Sequence, residues 1–314
     1  MADSFSVSNE DMSRFIEASA TSNVAQSTRR LFFNHLFEST ADRGHFHVDQ
    51  MYGSGSGVLI RFQGIFFLLT AKHVLVNNMR GDLQNESPFW VSVHARARWE
   101  SLLDFLFPKK VWDIAELIEC DTPSIDSNDI CLVEMFSPSP TNYPDAFIDI
   151  SRNESIVLNR TELFHGQFLV TSGFPFHLNY FNFENIAEGF THSTNVQRHS
   201  VPGVLVLGLA GEMFLSYEIT DADITSEYLT GMSGGAIYNV QPDINDIRLA
   251  GIALSGGSEV LRFYPAYHLL DAILSYRSCS CENIDPSADV PLSEETMLEL
   301  FGEQLERLGL INSN

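Results

Sequence analysis

The sequence predicts an all-β protein, a barrel or a sandwich pair, and three observations carry that expectation. Short apolar runs recur from Ser54 onward, rich in β-branched and aromatic residues. Gly and Pro, 20 and 12 in number, punctuate the gaps between them. Helical periodicity is confined to the two ends of the chain, as expected where strands dominate the middle.

Taken in order, Asn9 to Phe37 carries Met12, Phe15, Ile16, Val24, Leu31, Phe32 and Leu36 at loosely helical spacing, broken near Thr21-Ser22-Asn23. This reads as two short helices outside the main domain. Gly57 to Phe62 is a strand, Gln63-Gly64 a tight turn, and Ile65 to Ala71 a second strand. Trp90 to Ala95, Ile114 to Cys120, Ile130 to Met135, Phe168 to Ser172, Val204 to Leu209, Gly235 to Asn239 and Leu249 to Leu254 continue the series. Pro265 to Tyr276 then turns helical, with Tyr267, Leu269, Leu270, Ile273 and Leu274 on one face. Cys279 to Pro291 reads as a linker. Glu294 to Leu308 reads as a last helix, with Ser293 as its N-cap and Glu294 and Glu295 complementing its dipole. That helix is expected to pack on the barrel or to bind a partner.

Composition excludes several classes. The 44% hydrophobic content, with 24 Phe and 9 Tyr, is enough to bury a large core and excludes disorder as the main state. Four Cys in 314 residues exclude a disulfide-built miniprotein. The net charge of −23 argues against a nucleic-acid surface and against an anionic membrane, because both would repel it. The N-terminus has no basic start followed by an apolar run, and Val204 to Leu215 is too short and too polar to cross a bilayer. A soluble, cytoplasmic protein is expected. Cys120 and Cys131 sit in apolar runs, where a thiol behaves as a small hydrophobe. Cys279 and Cys281, and His45 and His47, are pairs without further ligands at metal-site spacing, so neither metal nor other cofactor is expected.

Three segments bear on chemistry. Leu69-Thr-Ala-Lys-His73-Val follows a hairpin that opens on Gly-Ser-Gly at 53–55 and again at 55–57. Ser127-Asn-Asp129-Ile-Cys-Leu-Val133 and Gly231-Met-Ser233-Gly-Gly235-Ala complete the set. The order is His, Asp, Ser, with spacings of 56 and 104 residues. Taken together, these segments resemble the trypsin-like (chymotrypsin-fold) serine peptidases. Thr70-Ala71-Lys72-His73 is similar to that family's Thr-Ala-x-His, Asp129-Ile-Cys-Leu-Val to its Asp-Ile-Ala-Leu-Leu, and Gly231-Met-Ser-Gly-Gly to its Gly-x-Ser-Gly-Gly. Val170 to Pro175 and Leu249 to Gly256 resemble two further family strands. The resemblance spans roughly residues 52–277 and implies two six-stranded antiparallel β-barrels with the active site between them.

The chemistry fits those residue types. A serine hydroxyl needs a base to take its proton as it attacks, and a histidine, with an ordinary pKa near 6.5, can accept and return one. A carboxylate must hold the imidazole in the right tautomer. Backbone amides must meet the oxyanion, and glycines let the chain turn to present them. The resemblance therefore implies Ser233 as nucleophile, His73 as general base, Asp129 as its partner, and the amides of Gly231 and Ser233 as the oxyanion hole. Asp113-Ile-Ala is a competing match for the acidic residue, weakened by Glu116 where an apolar residue belongs. Leu254, Ser255 and Gly256 are expected to wall the substrate pocket, and Glu227, six residues before Ser233, stands at the position that often floors it in the family, although an exposed loop glutamate is the favoured reading there. Lys72 is expected to be solvated, with no role.

One departure matters. Digestive members pair a freed N-terminal amine with an Asp before the nucleophile, and here that residue is Met232. Intracellular bacterial-type relatives are the nearer pattern, and too little chain follows Ser233 for a PDZ module. The expectation is a serine endopeptidase acting on a protein or peptide, gated by a trigger or by a regulatory partner that engages residues 1–50 or 279–314. A silent pseudopeptidase that binds proteins is the alternative. The expected organisation is a helical extension at 1–50, a peptidase domain at 51–278, and a linker with a C-terminal helix at 279–314.

Overall fold

The structure, a computed structural model, describes residues 8–34, 51–52, 54–78, 89–94, 104–118, 127–138, 146–151, 154–186, 189–208, 213–216, 229–241, 246–257 and 260–280. It is mostly β, with a closed six-stranded antiparallel barrel and a second sheet of nine strands.

The nine-stranded sheet is built from β1 (Thr28–Asn34), β2 (Met51–Tyr52), β3 (Ser56–Phe62), β4 (Ile65–Ala71), β5 (Phe89–Ser92), β6 (Phe105–Leu106), β7 (Pro108–Asp113), β8 (Ile130–Met135) and β9 (Ile148–Asp149). Its main path runs β6-β5-β1-β3-β4-β8-β7. The β3–β4 hairpin turns on Gln63 and Gly64, both at positive φ (50° and 86°), the conformation a two-residue turn between right-twisted strands requires. The closed barrel runs β10 (Phe168–Gly173), β13 (His199–Leu207), β14 (Met213–Ser216), β17 (Val260–Pro265), β16 (Leu249–Gly256) and β15 (Ala236–Asn239). A hairpin of β11 (Tyr180–Ile186) and β12 (Gly189–Asn195) stands apart from both sheets.

The barrel strands β15 and β16 and the end of β17 are apolar on both faces, and the two faces serve different cores. Ile237, Ala250, Ala253 and Phe263 pack with Leu169, Leu205 and Met232 in one cluster. Their neighbours Ala236, Tyr238, Ile252, Leu254 and Tyr264 join the core of the first sheet. The barrel is thus buried against the first sheet as well as around itself, which removes the need for a polar outer face on those strands.

Three features differ from the sequence reading. The N-terminal segment does hold two helices, α1 (Asn9–Ala20) and α2 (Asn23–Gln26), capped by the Ser8 and Ser22 hydroxyls. It does not end there. Leu31, Phe32 and Phe33 belong to β1, whose residues 28–33 are buried between β3 and β5. Residues 28–34 are therefore part of the first sheet, not of an extension. The helical spacing of 9–26 masked the change of period at Thr28. Next, Ile114–Leu117 is a single helical turn, α4, and the strand lies just before it, in β7. Lys109 and Lys110 expose themselves there, so β7 lacks the apolar run that signals a strand. Finally, the first sheet is larger than a six-stranded barrel and is not closed along its described strands.

The chain leaves β4 through α3 (Lys72–Asn78) and leaves β17 through α5 (Ala266–Ser280). The latter is the helix expected at Pro265 to Tyr276, except that Pro265 ends β17 and the helix runs on to Ser280, past Cys279 where the linker was expected to begin. Tyr276 lies edge-on to Phe67 at 5.4 Å and to Trp112 at 5.6 Å, and its hydroxyl reaches Glu134. Ser275 donates to Leu117 O at 2.8 Å. The expected helix at 294–308 lies outside the described residues.

Candidate active site

The register of two strands brings two of the expected groups together. Ala71, the last residue of β4, pairs with Ile130, the first of β8. The residues just beyond that last rung are then neighbours: His73 on the first turn of α3, and Asp129 at the end of a 3₁₀ turn, Ser127–Asp129. The His73 ring Nδ1 lies 2.8 Å and 3.0 Å from the two Asp129 carboxylate oxygens. The His73 backbone N–H also donates to Asp129, at 3.0 Å. Two contacts from one residue fix both the ring and its base. A neutral imidazole that donates from Nδ1 carries its lone pair on Nε2, the nitrogen turned away from the carboxylate. His73 and Asp129 side chains are about one-third and one-quarter exposed (35% and 25%), so the pair is reachable from solvent.

Asp113, the competing carboxylate, faces elsewhere. It ends β7 opposite Cys131. Its carboxylate takes an ion pair from Lys72 Nζ and a weak bond from Cys131 Sγ at 3.6 Å. The Asp113 hydrogen bond holds the Lys72 ammonium above its ordinary pKa. Burial pushes the Cys131 thiol far up, and the Asp113 charge adds to that, so the thiol stays protonated. Lys72 is thus not simply solvated, as its sequence position suggested. It neutralises Asp113 and leaves Asp129 as the carboxylate against the imidazole.

The third segment forms a tight turn. Gly231 and Gly234 have φ of 92° and 85°, a conformation that side chains resist. A Cβ on Gly231 would stand 2.7 Å from Phe174 O, and one on Gly234 would stand 1.9 Å from Ser56 O. The carbonyls from Thr230 to Ser233 are all engaged. Thr230 O accepts from Phe176 N at 2.7 Å, Met232 O from Gly235 N at 2.9 Å, and Ser233 O from Ser56 N at 2.9 Å. Gly231 O accepts from the Ser56 hydroxyl at 2.8 Å. Met232 and Gly234 amides donate to Leu229 O and Ala253 O. Among the described residues, the amides of Gly231 and Ser233 have no backbone acceptor. Ser233 itself is partly exposed.

This turn belongs to the barrel, yet it abuts the first sheet where β4 delivers His73. Thr70, three residues before His73, donates its hydroxyl to Ser56 O at 2.7 Å, and its Oγ1 lies 2.5 Å from where a Gly234 Cβ would be. The expected pocket wall is beside the same turn. Ala253 N donates to Gly235 O at 2.9 Å, which ties the end of β16 to it. Beyond a register shift, Leu254 is buried while Ser255 and Gly256 are exposed. Leu229 lies under Gly256, its Cδ1 3.0 Å from a Cβ built there. Glu227 lies outside the described residues.

Sequence reasoning gave no role to Ser56 or Thr70, although both lie in quoted motifs, and missed Phe176. The repeated Gly-Ser-Gly at 53–57 held the only signal for Ser56: a polar residue between two glycines at the head of an apolar strand. Among the described residues no group of three His, Cys, Asp or Glu side chains converges on a metal position. His45, His47 and Cys281 lie outside the described residues. No described helix is long and apolar enough to cross a membrane. No family model and no curated protein matches the sequence.

Proposed function

We propose that the protein is a serine endopeptidase with His73, Asp129 and Ser233 as its triad. The observation that carries this reading is the grip of Asp129 on both Nδ1 and the backbone N–H of His73, on a strand end whose Thr70 meets the turn at Gly234, where the Gly231 and Ser233 amides have no described backbone acceptor.

In this mechanism Ser233 Oγ attacks the peptide carbonyl while His73 Nε2 takes its proton. Asp129 holds the ring through Nδ1–H and stabilises the imidazolium. The Gly231 and Ser233 amides donate to the oxyanion of the tetrahedral intermediate. His73 then returns the proton to the leaving amine, and water, deprotonated by the same ring, releases the acyl group from Ser233. Leu254, Ser255 and Gly256 line the approach for the substrate chain, and the substrate is a protein or peptide. The family likeness implied by the three sequence motifs belongs to the same proposal, as does a cytoplasmic setting.

The test is a fluorophosphonate probe followed by mass spectrometry of the adduct. Labelling at Ser233, lost in Ser233→Ala and His73→Ala, is the expected result. A folded protein that resists labelling at Ser233 at neutral pH refutes the reading. Cleavage of an unbiased peptide library, followed by mass spectrometry, then separates a peptidase from an enzyme acting on other acyl groups.

A further inference from the structure

We propose that Ser56 is a positioning residue for the oxyanion hole, a role that rests on the peptidase reading above. The turn lacks the salt bridge that a residue such as Asp in place of Met232 would allow, so its amides need another means of orientation. In a trans peptide the C=O and N–H point opposite ways. Fixing a carbonyl therefore aims the amide across the same bond. Thr230 O, held by Phe176 N, aims the Gly231 amide, and Met232 O, held by Gly235 N, aims the Ser233 amide.

The peptide between those two, Gly231–Met232, sets their relative direction, and it is held at both ends. Met232 N donates to Leu229 O at 3.0 Å. Gly231 O takes the hydroxyl of Ser56, which is fully buried. The same Ser56 oxygen accepts from Phe174 N at 2.9 Å, two residues before the amide that grips Thr230 O. One hydroxyl on the first sheet thus holds the middle peptide of the turn and the segment that holds its neighbour. The Ser56 backbone adds the bond to Ser233 O. Met232 meanwhile is buried in the barrel core, where the family's charged residue would be unpaired. The turn is set by the docking of the two sheets and needs no freed terminus.

The full chain carries the test. Second-order labelling of Ser233 by the fluorophosphonate, and the kcat and KM for p-nitrophenyl acetate, are measured for wild type, Ser56→Ala, Ser56→Cys and Ser56→Thr. Each variant is first shown to be folded by circular dichroism. Ser56→Ala is expected to lower labelling and kcat by about 10- to 100-fold, the effect of a misplaced catalytic group, with KM unchanged. The pH midpoint of labelling stays where it is in wild type, because Ser56 does not touch the His73–Asp129 pair. Ser56→Thr, which keeps the hydroxyl, stays within about threefold of wild type on the same argument. Ser56→Cys keeps the volume but weakens the bond, and it stands in if Ser56→Ala does not fold. Wild-type rates in folded Ser56→Ala, or in folded Ser56→Cys where it stands in, overturn the role, as does an equal loss in Ser56→Ala and Ser56→Thr. Absence of labelling in the wild type refutes the peptidase reading instead, so the two failures are distinct.

Discussion

Placing a methyl group on Gly234 tests the junction between the sheets directly. The Cβ of Gly234→Ala would stand 1.9 Å from Ser56 O and 2.5 Å from Thr70 Oγ1. Carbon and oxygen that are not bonded rest about 3.3 Å apart or more, so the backbone of β3 and the turn must separate by roughly 1.4 Å. That movement breaks the bonds from Ser56 N to Ser233 O and from Ser56 Oγ to Gly231 O. Two buried hydrogen bonds are worth about 2 kcal/mol together. The positive φ adds about 1–2 kcal/mol for any L side chain. The expected cost is therefore about 3–4 kcal/mol on those two scales. Gly64→Ala is the control, because Gly64 has the same positive φ but nothing within 4 Å of its Cβ. It should lose only the backbone part, about 1–2 kcal/mol. Urea unfolding followed by the fluorescence of the buried Trp90 reads both variants. Equal stability losses at the two glycines would refute the reasoning, since the close approach at Gly234 would then carry no weight.

Further outcomes follow from the same geometry. Asp129→Asn should reduce peptidase kcat by roughly 10⁴-fold, the scale for a triad that has lost its carboxylate, whereas Asp113→Asn should cost less than about tenfold; equal losses measured on one substrate would restore Asp113 as the partner of His73. Arg198 donates to Ala20 O and Ala25 O, the ends of α1 and α2. In Arg198→Ala, hydrogen exchange should speed up across residues 9–26 and stay unchanged in β16. Arg248 pairs with Glu162 at 2.5 Å and 2.8 Å and holds that carboxyl below its ordinary pKa, chiefly through the hydrogen bond. A lowered folded-state pKa stabilises above the unfolded value and fades as pH falls through the folded one. Wild type should therefore exceed Arg248→Ala by about 0.5 kcal/mol or more at pH 7, a figure discounted for partial exposure. The gap should narrow below about pH 4.3, and a gap constant from pH 7 to pH 3 would contradict the assignment.

The legible part of this fold was the part whose local signals agreed with its tertiary setting. The strands at Ser56–Phe62, Ile65–Ala71 and Ile130–Met135 are apolar on both faces because both faces are buried, and each reads as a strand from its residues alone. The turn at Gln63–Gly64 is legible for the same reason. β1 was not legible, because Arg29 and Arg30 interrupt it with charges that look exposed. The Arg29 guanidinium is instead buried and answered by backbone carbonyls, donating to Ser92 O at 3.1 Å and Val93 O at 3.0 Å. β7 was displaced by its exposed lysines, one of which stacks on Trp112 at 3.7 Å. Within the site, His73 and Asp129 could be paired only through the resemblance of their motifs to those of the trypsin-like peptidases, with Asp113 left as a rival. Ser56 could not, since its value lies in contacts with residues 174 and 231, more than a hundred positions away.

The burial of β1 has a practical consequence for any search for a regulator. Removing residues 1–50 deletes a strand from the centre of the first sheet. Silence in such a truncation would report a collapsed scaffold and say nothing of a lost activator. At the other end, Tyr276 closes the core that Phe67 and Trp112 open. The ribosome makes Asp149, the end of β9, and Tyr276 on the order of 10 s apart at ordinary elongation rates. Through that interval the nascent chain holds every strand of the first sheet but lacks the aromatic side chain that seals it. The first core is thus completed only after the last barrel strand that packs against it has been made.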